Sequence, residues 1–271
     1  MNAALAKIPF AAPLWQYRAF IWSAATREMR LQSMNSVLGW LWPVLNAAAL
    51  ILLYMTLFVE VLKSKLPGSD DSMSYAIYLC VGIITWTYFA NTIQRSLNIF
   101  GENAMLLKKA GFPKITLPIV VIISQGVQFA IMLGVFAALL IVTGRIPGWS
   151  LLGIIPLLII QQTIAISLGI LLGTLNVFFR DVGQAVGIVL TFWFWLTPIV
   201  YPMSILSPTV ASIVTTWNPM TRIIMGYHDI ALNNIRPHMS DYIGHVVLAI
   251  VLSGLAYFCF KRLYSAVQDY L

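Results

Sequence analysis

The sequence predicts an all-α polytopic membrane protein with six transmembrane helices per chain, an N-terminal interfacial helix and a re-entrant hairpin between helices 5 and 6. Three observations carry that prediction. Long apolar runs occupy most of the 271 residues. Hydrophobic residues make up 60% and charged residues only 9%, whereas ordinary soluble domains carry about 25% charged residues. Basic residues outnumber acidic ones, 16 to 9, and gather on one side of the apolar runs.

Residues 1–36 hold Pro9 and Pro13 and then an aromatic and basic stretch from Trp15 to Arg30. They lack the apolar core and small-residue cleavage site of a signal peptide, so no cleaved leader is expected. Leu14, Tyr17, Ala24, Met29 and Leu31 alternate with Arg18, Arg27, Glu28 and Arg30, a mixture suited to a helix lying at the cytoplasmic interface. Six spans follow at 37–62, 75–93, 115–143, 149–179, 182–203 and 242–260, each near the ~20 helical residues needed to cross a ~30 Å hydrocarbon core. The whole chain, 1–271, reads as one transmembrane domain without an internal repeat.

The stretch Arg95 to Lys114 links spans 2 and 3 and carries Glu102, Lys108 and Lys109 between Gly101, Gly111 and Pro113. It is expected to form a short amphipathic helix between breakers; a solvated connecting loop is the alternative. Between spans 5 and 6, residues 204–241 contain the apolar pieces Val210–Trp217 and Ile223–Leu232, broken by Pro208, Pro219 and Pro237. Pieces this short cannot cross, but can dip into the membrane and return if their backbone is shielded. The alternative is an interfacial helix lying flat. Either way Trp217, Asn218 and Pro219 form the turn.

With the N-terminus inside, the inner segments hold Lys7, Arg18, Arg27, Arg30, Arg95, Lys108, Lys109, Lys114, Arg180, Lys261 and Arg262, and the outer ones Lys63, Lys65, Arg145, Arg222 and Arg236. This bias is the positive-inside pattern for two cytoplasmic termini. The bases form no stripe or domain of the kind that binds nucleic acid, so none is expected as a partner. Cys80 and Cys259 fall near opposite ends of the membrane and are expected unpaired. His228, His238 and His245 show no metal-ligand spacing, and no metal is assigned.

Glycine followed directly by lysine never occurs, which removes the phosphate-binding loop. There is no G-x-S-x-G, no H-E-x-x-H and no acidic pair deep in a span. The chain is expected to have no catalytic residues, and a substrate it moves is expected to draw its energy from another protein. Aromatic and polar residues within the spans are then candidate pathway lining: Trp40, Trp86, Tyr88, Phe89, Trp193, Trp195 and Tyr201, the last three beside Pro198 and Pro202. Ring faces stack on sugar C–H surfaces; aromatic belts and interhelical contacts are the ordinary alternative. Gly169 with Gly173, and Gly183 with Gly187, are G-x-x-x-G pairs permitting close helix approach within one chain or between two copies.

Several motifs then occur in order: VLGWLWPV at Val37–Val44 after Arg27 and Arg30, LLKKAGFPKITLP at Leu106–Pro118, LNVFFRDV at Leu175–Val182, PIVYP at Pro198–Pro202, and Asn218-Pro219-Met220. Together they resemble the membrane subunit of ABC-2-type polysaccharide exporters, the O-antigen, capsule and teichoic-acid permeases, from about Trp15 to the C-terminus. One departure is the Ala47-Ala48-Ala49 run after Asn46, where the family often has a proline.

The resemblance implies an inner-membrane homodimer exporting a lipid-linked polysaccharide, with two copies of a separate ABC ATPase docked on its cytoplasmic face. ATP and Mg would bind in that partner, none in this chain. It further implies ATPase coupling by Arg27, Glu28, Arg30, Glu102, Asn103, Leu106, Lys108 and Lys109, and a cytoplasmic gate or lipid-headgroup contact at Arg180 and Asp181. O-antigen is the leading substrate; capsular polysaccharide, teichoic acid and small-molecule efflux are alternatives within the family. Outside it stand a passive channel or secondary carrier, and a lipid-modifying membrane enzyme using Arg180, Asp181, His228 or Asp229.

Overall fold

The computed structural model describes residues 15–31, 41–57, 66, 71–109, 112–144 and 148–270, and all its regular elements there are helical. Among the predicted site residues, Trp40 and the side chain of Arg30 lie outside the described portion. So does the beginning of the first expected span and everything in it beyond residue 57.

Helix α1, Arg18–Leu31, buries Ile21 and Ala25 one turn apart, with Glu28 at the next position on that face. This face packs on Val120, Ile119 and Ile123, while Trp15 and Trp22 point outward. Helix α2, Trp42–Met55, begins with Pro43 in its first turn, where the missing N–H costs nothing. Ala47 and Ile51 are its buried stripe.

Helix α3 is the axle of the molecule. It runs from Ser72 to Glu102, 31 residues or about 46 Å. Asp71 caps its start, accepting from the Met73 N–H and the Ser74 hydroxyl at 3.0 Å each. Apolar residues surround nearly its whole circumference, and α5, α6, α7 and α9 cover it, as expected of a helix that is hydrophobic all round. It continues nine residues past the expected end at Ile93, carrying the expected breaker Gly101 within its last turn and ending at the Asn103 cap. The expected link between spans 2 and 3 thus shrinks to Asn103–Ile115, with the single-turn helix α4, Ala104–Lys108, inside it.

Helix α5 is Thr116–Val142 and ends at Gly144, whose φ of +72° is a left-handed C-terminal stop. A 3₁₀ turn, Trp149–Gly153, leads into α6, Ile154–Phe178. The first glycine pair makes α6 lie directly on α3: a Cβ at Gly169 would stand 2.3 Å from Ser96 Cβ, and one at Gly173 would stand 2.9 Å from the Ser96 carbonyl oxygen. Gly183 and Gly187 also face α3, near Leu97 and Gln94. Both pairs therefore serve packing within one chain.

Helix α7, Asp181–Leu196, follows after Phe179 and Arg180, with Asn176 Oδ1 accepting from the Gly183 N–H at 2.9 Å. It stops short of the expected Met203. Pro198 disfavours helical backbone at the residue before it, and Thr197 is extended with ψ 136°. Helices α8, Pro208–Trp217, and α9, Pro219–His228, form a hairpin about Asn218, each starting on a proline. A π turn, Asp229–Asn233, and a 3₁₀ turn, Met239–Tyr242, precede α10, Ile243–Tyr270. Small residues seat α10 on α6, with the Ser167 and Ser253 hydroxyls 2.9 Å apart.

Four helical stretches are apolar and long enough to cross a membrane: Met73–Glu102, Thr116–Val142, Trp149–Phe178 and Met239–Leu263. The chain is a polytopic membrane protein. Val44–Met55 and Asp181–Leu196 are apolar but shorter.

Candidate functional site

Two places concentrate polar chemistry, one at each end of α3. At the end carrying Glu102, Arg95 of α3 joins two carboxylates. Its Nε donates to Glu28 Oε1 of α1, and its Nη1 reaches Glu102 at 2.7 Å. Arg95 and Glu102 are seven residues apart, two helical turns, so they share a face. Glu28 is only 7% exposed and would be costly as an unpaired charge. A small cavity of about 210 Å³ lies beside this triad between α1, α3 and α5.

Below the triad, a second apolar cluster of Ile99, Phe100, Leu107, Phe112, Leu117 and Val121 holds α4 against the bundle. Phe112 takes Tyr17, just before α1, and Phe20 of α1 edge-on at 6.0 and 5.5 Å. Asn103 donates its side-chain amide to the Ile99 carbonyl at 2.9 Å, and Leu106 packs on the cluster. Lys108 and Lys109 stand exposed, as does Met105 at 90%. Arg27 is exposed on α1. The structure thus gathers Glu28, Glu102, Asn103, Leu106, Lys108 and Lys109 at one corner, but the two acids face Arg95. Neither Arg95 nor Met105 was singled out from sequence; the Arg95–Glu102 spacing was the available signal.

Arg180 and Asp181 are exposed at the start of α7, where the Asp181 carboxylate suits the positive end of the helix dipole.

At the opposite end, α3 pins the loop that follows α7. Tyr75 donates its hydroxyl to the Val200 carbonyl at 2.8 Å, and the Tyr78 hydroxyl reaches both the Pro198 and Tyr201 carbonyls at 2.9 Å. His228 of α9 stacks on Tyr78 with ring centroids 3.8 Å apart, its Nε2 3.0 Å from the Tyr78 carbonyl. Asn218 ties the hairpin to α7: Oδ1 accepts from Trp193 Nε1 at 2.9 Å and from the Met220 N–H at 3.0 Å, and Nδ2 donates to Thr197 Oγ1 at 2.9 Å.

The expected pathway aromatics divide. Trp86, Tyr88 and Phe89 are buried in the chain's own core. Trp86 and Phe89 meet Trp193 edge-on at 5.8 and 5.3 Å, and Tyr88 stacks on Phe129 at 4.4 Å. All-round burial of α3 is the cause. Trp195 is 60% exposed, in a stripe with Ile188, Val189 and Phe192 along the outer face of α7. Tyr201 is half-buried and donates to the Trp195 carbonyl at 3.1 Å.

Among the described residues, no three His, Cys, Asp or Glu side chains converge as metal ligands. Cys80 is buried and Cys259 half-buried, both as thiols.

Comparison with known proteins gives this architecture a context. The ABC-2 type transporter family matches residues 19–232. The chain is 28% identical over 240 residues to the O-antigen export system permease protein RfbA of Myxococcus xanthus, covering 88% of this chain and 90% of that one. It is 30% identical over 236 residues to a protein of the same name from Klebsiella pneumoniae, covering 86% and 88%. A second Klebsiella pneumoniae protein of that name matches at 30% over 208 residues. With the family matched across most of its length, the chain belongs to the ABC-2 type transporters.

Proposed function

We propose that this chain is the transmembrane subunit of an ATP-driven exporter that carries a lipid-linked polysaccharide, O-antigen first among the candidates, across the inner membrane. It works as a homodimer with two copies of a separate ABC ATPase, which bind ATP and Mg. The observation that carries this reading is the corner at the Glu102 end of α3. A buried 31-residue helix ends in a short, outward-facing helix whose Met105, Lys108 and Lys109 are free to meet a partner, and Arg95 locks that end to α1.

Closure of the ATPase pair presses on α4, and the rigid α3 carries the displacement to the Tyr75 and Tyr78 contacts with the outer loop. The exposed stripe of α7, with Trp195 and Phe192, lines the pathway between the two copies, and Tyr201 sits at its outer mouth. Arg27 and Arg30 of α1 share the ATPase contact. Arg180 and Asp181 meet the substrate's phosphate or the surrounding headgroups. Both termini are cytoplasmic. Helices α2 and α7 complete a set of six spans, and the α8–α9 hairpin re-enters the membrane from outside. Its prolines and the Asn218 cap keep the turning backbone satisfied.

The test is charge reversal at Lys108 and Lys109. The K108E/K109E variant is expected to lose co-purification of the ATPase and ATP-dependent export, with the purified chain's thermal stability unchanged because both lysines are exposed. Undiminished association and export contradict docking at α4. Restoration of surface O-antigen in a permease-deleted strain, against capsule and drug-efflux readouts in parallel, tests the substrate.

A further inference from the structure

Arg95 serves two carboxylates with one guanidinium. Glu28 takes the Nε arm, and both oxygens of Glu102 lie 2.7 Å from Nη1. The triad therefore carries one negative charge in excess, and the excess rests on Glu102, whose side chain is 50% exposed where that of Glu28 is 9% exposed. Glu102 is also the last residue of the 31-residue α3, where the negative end of the helix dipole disfavours a carboxylate. The neighbouring bases do not offset this. Arg27 lines the cavity beside the triad yet makes no ion pair with either acid, and Lys108 and Lys109 are exposed without an ion pair among the described residues. The outward side of Glu102 is open: a Cβ at Gly101 would meet nothing within 4 Å, and Met105 is almost fully exposed.

We propose that Glu102 pairs with a basic side chain of the ATPase, an arginine or lysine set among the acidic groups that Lys108 and Lys109 call for and beside an apolar seat for Met105. The inference rests on the exporter reading and adds to it the charge pattern of the partner's surface. A surface acidic throughout would attract the two lysines but repel Glu102. The alternation of sign along this patch, negative at Glu102 and positive at Lys108 and Lys109, fixes the register in which a complementary surface docks.

Docking divides the triad. The Glu102 pair is solvated and exchanges readily, so the partner's base takes that carboxylate. Arg95 stays with Glu28, which would otherwise be a nearly buried charge without a partner. The arrival of the ATPase at α4 is thereby felt by the residue that ties α3 to α1.

The dissociation constant of the purified cognate ABC ATPase for the full-length chain in nanodiscs tests the pairing, with hydrogen exchange over residues 18–31 as the control for α1. E102Q is expected to weaken binding about three- to fivefold, with exchange over 18–31 changed by no more than that. E102K presents like charge to the partner's base and is expected to weaken binding further. E28Q/R95A releases Glu102 from its internal partner without leaving a buried charge, and is expected to bind more tightly than E102Q. Tighter or unchanged binding by E102Q overturns the proposal, as a wholly acidic partner surface would produce. Binding by E28Q/R95A no tighter than that of E102Q also overturns it, because the loss would then follow the loosening of α1. Failure of the wild-type chain to bind the ATPase removes the exporter reading itself, whereas wild-type binding with an unaltered E102Q removes only the Glu102 pairing.

Discussion

Replacing Arg95 by alanine isolates the tie between α1 and the Glu102 end of α3. The substitution takes the charged partner from Glu28, which is nearly buried, and from Glu102, whose side chain is half exposed. Breaking a fully buried pair by removing one member costs about 3–5 kcal/mol. Here Arg95 is 24% exposed and a 210 Å³ cavity adjoins the site, so water reaches the orphaned carboxylate and the expected cost falls to about 2–3 kcal/mol. The Glu102 arm, solvated on one side, contributes about 0–1 kcal/mol. Since every 1.4 kcal/mol is tenfold, R95A should raise the population with α1 detached about 30- to 150-fold, and E102A by about fivefold at most. Hydrogen exchange across residues 18–31 in the assembled complex reads this directly. R95A is expected to accelerate it by the larger factor and R95K to recover part of the protection. E28Q in the R95A background should recover more, because no buried charge remains unpaired. Equal effects of R95A and E102A, or unchanged exchange in R95A, would refute the role of the buried pair.

Four further substitutions probe packing and the loop after α7. Gly169→Val drives a side chain into Ser96 and is expected to cost at least about 1–3 kcal/mol, seen as a lower midpoint of thermal unfolding in detergent. Gly134→Ala, with nothing within 4 Å of its added methyl, should leave that midpoint unchanged or raise it. Asn218→Ala removes the α9 cap and the bonds to Trp193 and Thr197, an expected loss of about 2–3 kcal/mol, measured as faster proteolysis between residues 197 and 218. Tyr78→Phe keeps the stack on His228 but loses the hydroxyl's bonds to Pro198 and Tyr201, about 1–2 kcal/mol; exchange at 197–202 should quicken while α3 stays protected.

The sequence made most of this architecture readable because membrane helices announce themselves by length and apolarity. The starts and ends of α5 and α6 follow from Pro113, Gly144, Gly148 and the Phe179–Arg180 junction. Two boundaries did not. Helix α3 continues past Ile93 because polar residues such as Gln94 and Arg95 do not break a helix; they only change what surrounds it. Helix α7 stops at Leu196 because Pro198 acts on the residue before it, a local rule that outweighs continuing hydrophobicity. The corner at the Glu102 end of α3 was legible as a cluster of residue types, yet the contacts within it were not. Glu28 and Glu102 look equivalent to Lys108 and Lys109 as exposed charge until tertiary contact sets Arg95 between them. The aromatics show the same limit. Trp86, Phe89 and Trp195 are alike by composition, and only the covering of α3 by its neighbours separates core from exposed face.

The central claim is that this polytopic chain moves its substrate with force supplied by a separate ATPase. Purified permease in proteoliposomes, with and without that ATPase, and with lipid-linked polysaccharide and ATP on one side, tests it most directly. Polysaccharide transfer is expected only when both proteins and hydrolysable ATP are present. Accumulation of polysaccharide against its gradient by the permease alone would contradict it.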